Sequence, residues 1–413
     1  MMSTDSEPQL DAHRVVITGL GAVTSVGIGV AEFLAGIREG RSGASPITAF
    51  DVDGYEHDIA CEVAGFEPGD WLGDVAFDEL GRASQFSLAA ARMAVADAGL
   101  PLDRLRRSRA LVAIGTTDGE SRDLDHLVEL EVTRGPEEMD PAVAARVPAG
   151  RLSAVIARDL ELEDVEAVTI PTACAAGNYA IGYGYDAVRT GEVAFAICGG
   201  ADAVCRKTFT GFYRLGTIAP ERCQPFDRDR KGILVGEGAG VLVLESLASA
   251  RARGARIYAE VLGYGLNCDA DHQVAPNESS FARCIELALE HAGVEPGDVD
   301  FISAHGTGTK ANDITEARAI RRVFGDDPPR TVSIKSMIGH TMGAASALGS
   351  IACALAITAG FIPPTINHVE TDPDCNLDCV PNEALPFRVR VAQNNGLAFG
   401  GNNAVVLFGR AAA

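Results

Sequence analysis

Two stretches of equal length, 174–191 and 343–360, are rich in Ala and Gly and nearly free of charge, and the second contains no Asp, Glu, Lys or Arg. Each stands close behind a β-branched run and carries Ala at matching places. A helix that is apolar all round cannot lie on a surface, where one face must meet water; it belongs in a core. Two such helices in corresponding positions imply a duplicated α/β unit whose paired helices are sandwiched between sheets.

The rest of the chain fits that expectation. Short β-branched runs at 14–18, 110–114, 165–170, 194–198, 239–244, 257–262, 300–303, 331–334 and 404–408 alternate with helical patterns at 81–98, 175–189, 279–291, 313–323 and 344–359. This alternation predicts an α/β fold with a mostly parallel sheet. No Pro/Ser-rich linker divides it, so 13–413 is expected to be one body with pseudo-repeat halves at about 13–250 and 251–413. Residues 1–12, acidic and polar with no apolar signal core, read as a flexible N-terminal segment.

With 413 residues and 47% hydrophobic content the chain can bury a large core. Its formal net charge of −22 repels nucleic acid and anionic membranes, so neither is expected as a partner. An acidic partner would need a local basic patch: Arg104, Arg106, Arg107 and Arg109, or Arg206 and Lys207, or Arg228, Arg230 and Lys231. The ten cysteines do not form a disulfide framework, because several lie inside apolar runs. Cys375 and Cys379 have no His or further Cys at zinc-site spacing, so no metal is expected. No apolar run is long enough to span a bilayer, and the chain is expected to be cytoplasmic.

Three residues stand out chemically. Cys174 lies where a strand run meets the first apolar helix, beside unpaired backbone N–H groups and the positive end of the helix dipole, which favour thiolate. His305 and His340 stand at strand ends inside Gly- and Thr-rich turns, which line ligand crevices in parallel α/β folds. Lys335 precedes His340 by five residues. A lone buried Cys is usually a small hydrophobe; a helix-N-terminal Cys with two such histidines and a lysine is a specific pattern.

These residues stand in a longer series of motifs. The chain contains Val15-Val-Ile-Thr-Gly-Leu-Gly-Ala-Val-Thr, Thr172-Ala-Cys174-Ala-Ala-Gly, Pro225-Phe-Asp-Arg-Asp-Arg and Gly236-Glu237-Gly-Ala-Gly. It continues with Ala304-His305-Gly-Thr-Gly-Thr, Lys335-Ser-Met-Ile-Gly-His340 and Phe399-Gly-Gly-Asn-Asn403. In this order, over nearly the whole chain, it resembles the elongating β-ketoacyl-acyl-carrier-protein synthases of the thiolase superfamily. The resemblance implies a five-layer αβαβα sandwich, a homodimer, an acyl carrier protein as partner and no cofactor. It also implies that Cys174 takes an acyl group from a carrier thioester and that a malonyl-type thioester then loses carbon dioxide and condenses onto it. The N–H groups of Cys174 and Phe399 would hold one oxyanion, and His305 and His340 the enolate. Lys335 and Glu237 would arrange the histidines electrostatically, with Phe399 gating the site ahead of Gly400.

Related activities are separated by single positions. Thiolases carry a second Cys where this chain has Leu397-Ala-Phe-Gly-Gly, initiating synthases an Asn where His340 stands, and non-catalytic chain-length partners lack the nucleophile. Asp118, Glu120, Thr307 and Thr309 are read as substrate-pocket residues, with Asp118 and Glu120 paired to Arg122 or across the dimer, or facing a short or polar substrate. These carboxylates replace the small apolar residues of fatty-acid synthases and point to polyketide or other specialised metabolism. They also motivate a second reading, release of a finished chain by aldol or lactone closure with Glu120 or His305 as base. A non-catalytic partner subunit is a third reading, which the intact Cys174, His305, Lys335 and His340 set opposes.

Overall fold

The computed structural model describes residues 13–73 and 75–411; the expected N-terminal segment lies outside the described residues. A first unit comprises β1 (Val15–Thr24), α1 (Arg82–Asp97), β2 (Ala110–Gly115), β3 (Val165–Ile170), α2 (Ala176–Arg189), β4 (Phe195–Asp202) and β5 (Gly238–Ser246). A second comprises β6 (Ala259–Cys268), α3 (Glu278–Ala292), β7 (Phe301–Ser303), α4 (Lys310–Phe324), β8 (Arg330–Val332), α5 (Ala344–Ala359), β9 (Val391–Leu397) and β10 (Asn402–Gly409).

The strands line up as β3-β2-β4-β5-β1 in the first unit and β8-β7-β9-β10-β6 in the second, which is the same order twice. Directions repeat too. β2 is parallel to β3 and β4, while β4–β5 and β5–β1 are antiparallel. β7 is parallel to β8 and β9, while β9–β10 and β10–β6 are antiparallel. The sheet is therefore mixed, not mostly parallel as the alternation predicted. β1 also pairs with β6 over its first three residues, so the two units share one continuous ladder of eleven strands that includes the short strand Gly27–Ile28.

The expected layering follows from where apolar surface goes. α2 and α5 pack on each other and on strands of both units, forming the central layer. α1 covers the outer face of the first unit, and α3 with α4 covers the outer face of the second. Residues 344–357 of α5 are all buried, as a charge-free helix requires. The two central helices approach closely at Gly177, where a Cβ would lie 2.5 Å from the backbone nitrogen of Ala347. Polar groups in this layer are satisfied: Asn394 Nδ2 donates to Asn178 Oδ1, Ser346 O and Ser350 Oγ, at 2.8, 2.7 and 3.0 Å.

Helices Val30–Glu39, Ser121–Arg134, Arg151–Asp159 and Arg206–Arg214, and strand β9, were not anticipated. β9 reads Val-Ala-Gln-Asn-Asn-Gly-Leu, a composition of turns, and becomes a strand because its side-chain amides bond inward. Among the described residues no helix is long and apolar enough to cross a membrane.

Candidate active site

After β3 the chain makes a short turn of 3₁₀ helix, Ala173–Ala175, which runs directly into α2 and carries Cys174. Ala173 has φ +49°, a region that L-residues adopt at a cost of order 1 kcal/mol. Met342, immediately before the matching stretch at 343, has φ +51°. The same unusual turn thus occurs in both units, so the strain belongs to the duplicated strand–helix junction itself. Gly115 at the end of β2 lets the nucleophile helix come close, since a Cβ there would lie 2.3 Å from the carbonyl carbon of Ala176.

Cys174 is 5% exposed. Burial pushes its thiol up to about 12; Lys335 opposes the shift, and the charges of Asp202 and Asp118 add to it. The helix N-terminus was expected to yield a thiolate. Desolvation outweighs it, and the resting group is a thiol.

His305 follows β7. Its backbone N–H and that of Gly306 donate to the two oxygens of Glu316 at 2.8 and 2.7 Å, and Lys335 Nζ donates to its carbonyl oxygen at 2.6 Å. His340 sits ahead of α5, with its backbone N–H bonded to Leu234 O at 2.7 Å. Its Nδ1 accepts from the N–H of Met342 at 3.2 Å, so the ring hydrogen is on Nε2. The two imidazole rings lie 5.4 Å apart between centroids, at 82° to one another. Burial, with the nearby Lys335 charge, holds both well below the ordinary histidine range, so both are neutral at physiological pH.

Cys174, His305, His340, Thr307, Thr309 and Phe399 line one cavity, whose remaining wall includes Ile233, Val274 and Leu397. Phe399 is 37% exposed and lies 5.3 Å from Phe212, which in turn reaches His340 at 6.3 Å. Gly400 and Gly401 behind it have φ of +82° and +78°, a bend that suits glycine. A buried thiol beside two neutral imidazoles, each an N–H donor, suits acyl transfer with stabilisation of a developing oxyanion.

The comparisons with known proteins agree with this chemistry. The model of the β-ketoacyl synthase N-terminal domain matches residues 12–250, and that of the C-terminal domain matches residues 258–369. The chain belongs to the β-ketoacyl synthase family. It is a condensing, acyl-transferring ketosynthase. It is 36% identical over 410 residues to 3-oxoacyl-[acyl-carrier-protein] synthase 2 of Synechocystis sp., covering 97% of this chain and 98% of the relative. Nodulation protein E of Rhizobium sp. is 39% identical over 405 residues, covering 96% and 99%. A solved structure described as the ishigamide ketosynthase/chain length factor is 62% identical with a TM-score of 0.96, covering 97% of this chain and 99% of that one. A type II polyketide synthase acyl-carrier protein in complex with its ketosynthase gives 31% identity and a TM-score of 0.89, covering 97% and 99%.

The structure relocates several residues that the ketosynthase resemblance had assigned. Glu237 does not face the histidines: it accepts from the N–H groups of Val63 and Val204 and pairs with Arg82 at 3.1 Å. The carboxylate that organises the His305 turn is Glu316, which also accepts from Asn395 at 3.0 Å. Glu120 does not line the cavity. Its oxygens accept from the N–H groups of Ala83 and Ser84 and cap the start of α1. Asp118 also lies outside the lining. It pairs with Lys207 and with Thr208 Oγ1, both at 2.6 Å, and not with Arg122. The sequence reading missed Glu316, Asn395, Phe212 and Asp202. Asp202 accepts from Thr116 Oγ1 and from the N–H groups of residues 117, 118 and 343, tying β4 to the start of α5. Spacing held a signal for Glu316, eleven residues past His305 on the next helix; for Phe212 there was none.

Proposed function

We propose that Cys174 is the nucleophile of a decarboxylative condensation on carrier-bound thioesters, in a polyketide or similar specialised pathway. Cys174 sulfur attacks the acyl thioester, the carbon–sulfur bond to the carrier breaks, and the thiol proton ends on the carrier thiol. A malonyl-type thioester then loses carbon dioxide, and its carbon–carbon bonding pair becomes an enolate. Nε2–H of His340 and a ring N–H of His305 donate to the enolate oxygen, and the N–H groups of Cys174 and Phe399 receive the acyl oxyanion. The enolate carbon bonds to the acyl carbon, the bond to Cys174 breaks, and the sulfur takes up a proton. The observation that carries this reading is the pair of neutral imidazoles set edge to face in one cavity with Cys174.

Lys335 and Glu316 are positioning residues for His305, and Phe399 is the gate. Thr307 and Thr309 line the substrate path. The acyl carrier protein is the partner that would deliver both thioesters, and the cytoplasm is the compartment. The neighbour described as a ketosynthase/chain length factor supports pairing with a second synthase-like subunit in place of the homodimer expected from sequence. The repeated strand order supports halves near 13–250 and 251–413 arising by duplication. Release by cyclisation loses one of its two candidate bases, because Glu120 is a helix cap.

Intact-mass measurement after mixing with an acyl-loaded carrier tests the assignment. The wild type should gain one acyl group and Cys174→Ala none, and malonyl-carrier should then release carbon dioxide. An adduct on Cys174→Ala would overturn it.

A further inference from the structure

The duplication reaches into the site itself. Cys174 and Gly343 hold the same place in the two units, each directly behind a residue of positive φ, Ala173 at +49° and Met342 at +51°. Two strand ends of the second unit stand around Cys174: Leu397 closes β9, and His305 follows β7. The matching strand ends of the first unit stand around Gly343: Asp202 closes β4, and Thr116 follows β2. The molecule thus contains a second copy of the nucleophile junction, and that copy leaves no space for a nucleophile. A Cβ on Gly343 would lie 2.5 Å from Thr116 Cα and 2.7 Å from Asp202 Oδ2.

What fills the copy is a carboxylate. Asp202 is fully buried, and its Oδ2 accepts from the N–H groups of Gly343 at 2.6 Å and Thr117 at 2.8 Å. Its Oδ1 accepts from Thr116 Oγ1 at 2.6 Å and from the N–H of Asp118 at 2.9 Å. Three backbone N–H groups and a hydroxyl therefore converge on one anion at the start of the sixteen-residue α5, where the helix dipole also favours negative charge. Gly343 N–H is the counterpart of Cys174 N–H, the group that receives the acyl oxyanion in the ketosynthase reading. At the end of β9 the apolar Leu397 leaves the reaction cavity open; at the end of β4 the chain supplies an anion of its own. One residue couples this cradle to the chemistry. Met342, directly before Gly343, donates its N–H to Nδ1 of His340 at 3.2 Å, the bond that leaves the ring hydrogen on Nε2.

We propose that Asp202 is an internal anion occupying the second unit's copy of the oxyanion site, and that by fixing Gly343 and Met342 it is a positioning residue for His340. The proposal rests on the ketosynthase reading, in which Nε2–H of His340 meets the enolate, and adds the group that aims it. In that reading the acylation of Cys174 makes no call on His340, whereas condensation does. Loss of the internal anion therefore falls on the second reaction and spares the first.

Asp202→Ala, read by two assays on the same protein, tests it. One is Cys174 acylation from hexanoyl-loaded acyl carrier protein, followed by intact mass; the other is carbon dioxide release when malonyl-loaded carrier is added. Condensation should fall at least about tenfold while acylation stays within about threefold of the wild type. Formate at about 100 mM, which replaces the deleted carboxylate, should then raise condensation at least about threefold and raise the melting temperature. Pivalate, of equal charge but too bulky for the cradle, should do neither. Full condensation in Asp202→Ala overturns the proposal, as does an equal loss of both reactions, or a loss that formate leaves unrestored. Where Asp202→Ala does not fold with either anion, Asp202→Asn decides, since its one oxygen must serve where two did. Condensation lost ahead of acylation in that variant supports the assignment; equal loss or no loss overturns it. A wild type that the hexanoyl carrier does not acylate sinks the underlying ketosynthase reading instead.

Discussion

Lys335 Nζ bonds the backbone carbonyl of His305 at 2.6 Å, and no ring nitrogen of either histidine is its partner. The lysine therefore acts on the site in two ways: it pins the turn that carries His305, and its charge opposes protonation of both imidazoles while favouring ionisation of Cys174. Lys335→Ala should slow condensation by about tenfold to a hundredfold. It should also let the imidazoles titrate closer to their ordinary range, moving the acid limb of the pH–rate profile upward. An unmoved acid limb would reduce Lys335 to a structural tie.

The pH behaviour of the resting site follows from burial. With the Cys174 thiol at about 12, alkylation by iodoacetamide should rise about tenfold per pH unit through pH 10, with no plateau near 8 or 9. A plateau there would show a preformed thiolate. The histidines act on stability. Their folded values lie below 6.5, so between those values and 6.5 the unfolded chain binds more protons, and stability falls as pH drops through that interval. Asp202 has the opposite sign. Its carboxyl is raised by burial and by Asp118 to about 7, so the folded chain binds more protons between about 4 and 7 and stability falls as pH rises there. Asp202→Asn should remove that second slope in denaturant titrations run across this range.

How much of this was legible depended on whether a residue's partner was local. A helix with few or no charges has no face to give to water, so α2, with only Asp186 and Arg189, and the charge-free α5 could be read from 174–191 and 343–360 alone. Cys174, His305 and His340 announce themselves because each stands in a turn of small residues beside a strand or a buried helix, although a short helix, Lys335–Ile338, separates His340 from β8. Gln393, Asn394 and Asn395 hid a strand, because two of these amides find partners on α2, α4 and α5, far away in the sequence. Glu237 was visible as an acid in a glycine motif, but Arg82, 155 positions earlier, sets its role. The thiol state of Cys174 was misread for a related reason: the dipole is a local feature, and the burial that overrides it is supplied by the whole fold.

Glu316 and Glu237 should separate in mutagenesis. Glu316→Gln keeps one acceptor oxygen for the two turn amides, sets an NH2 against the other N–H and removes the charge beside Lys335, so condensation should fall about tenfold or more with a modest fall in melting temperature. Glu237→Ala leaves the N–H groups of Val63 and Val204 without their acceptor and the Arg82 guanidinium with only the Val63 carbonyl, and should cost about 3 kcal/mol in urea unfolding with the turnover of folded protein unchanged. The reverse pattern would restore Glu237 to the reaction.

Gly177 tests whether the duplicated helices must touch for the site to exist. It lies three residues past Cys174, and a Cβ added there would stand 2.5 Å from Ala347 N and 2.8 Å from Ala347 Cβ. Backbone cannot yield as a flexible side chain can, so Gly177→Ala must push α2 and α5 apart. Overpacking of this kind costs about 1–3 kcal/mol. Ala has the better helix propensity by up to about 1 kcal/mol, which offsets only part of that loss. The displaced helices carry Cys174 at one N-terminus and follow His340 at the other. The variant should therefore melt lower and also alter the geometry between nucleophile and imidazole, so that acylation persists while condensation falls. A variant with a lower melting temperature and full condensation would show that the site tolerates separation of the two helices.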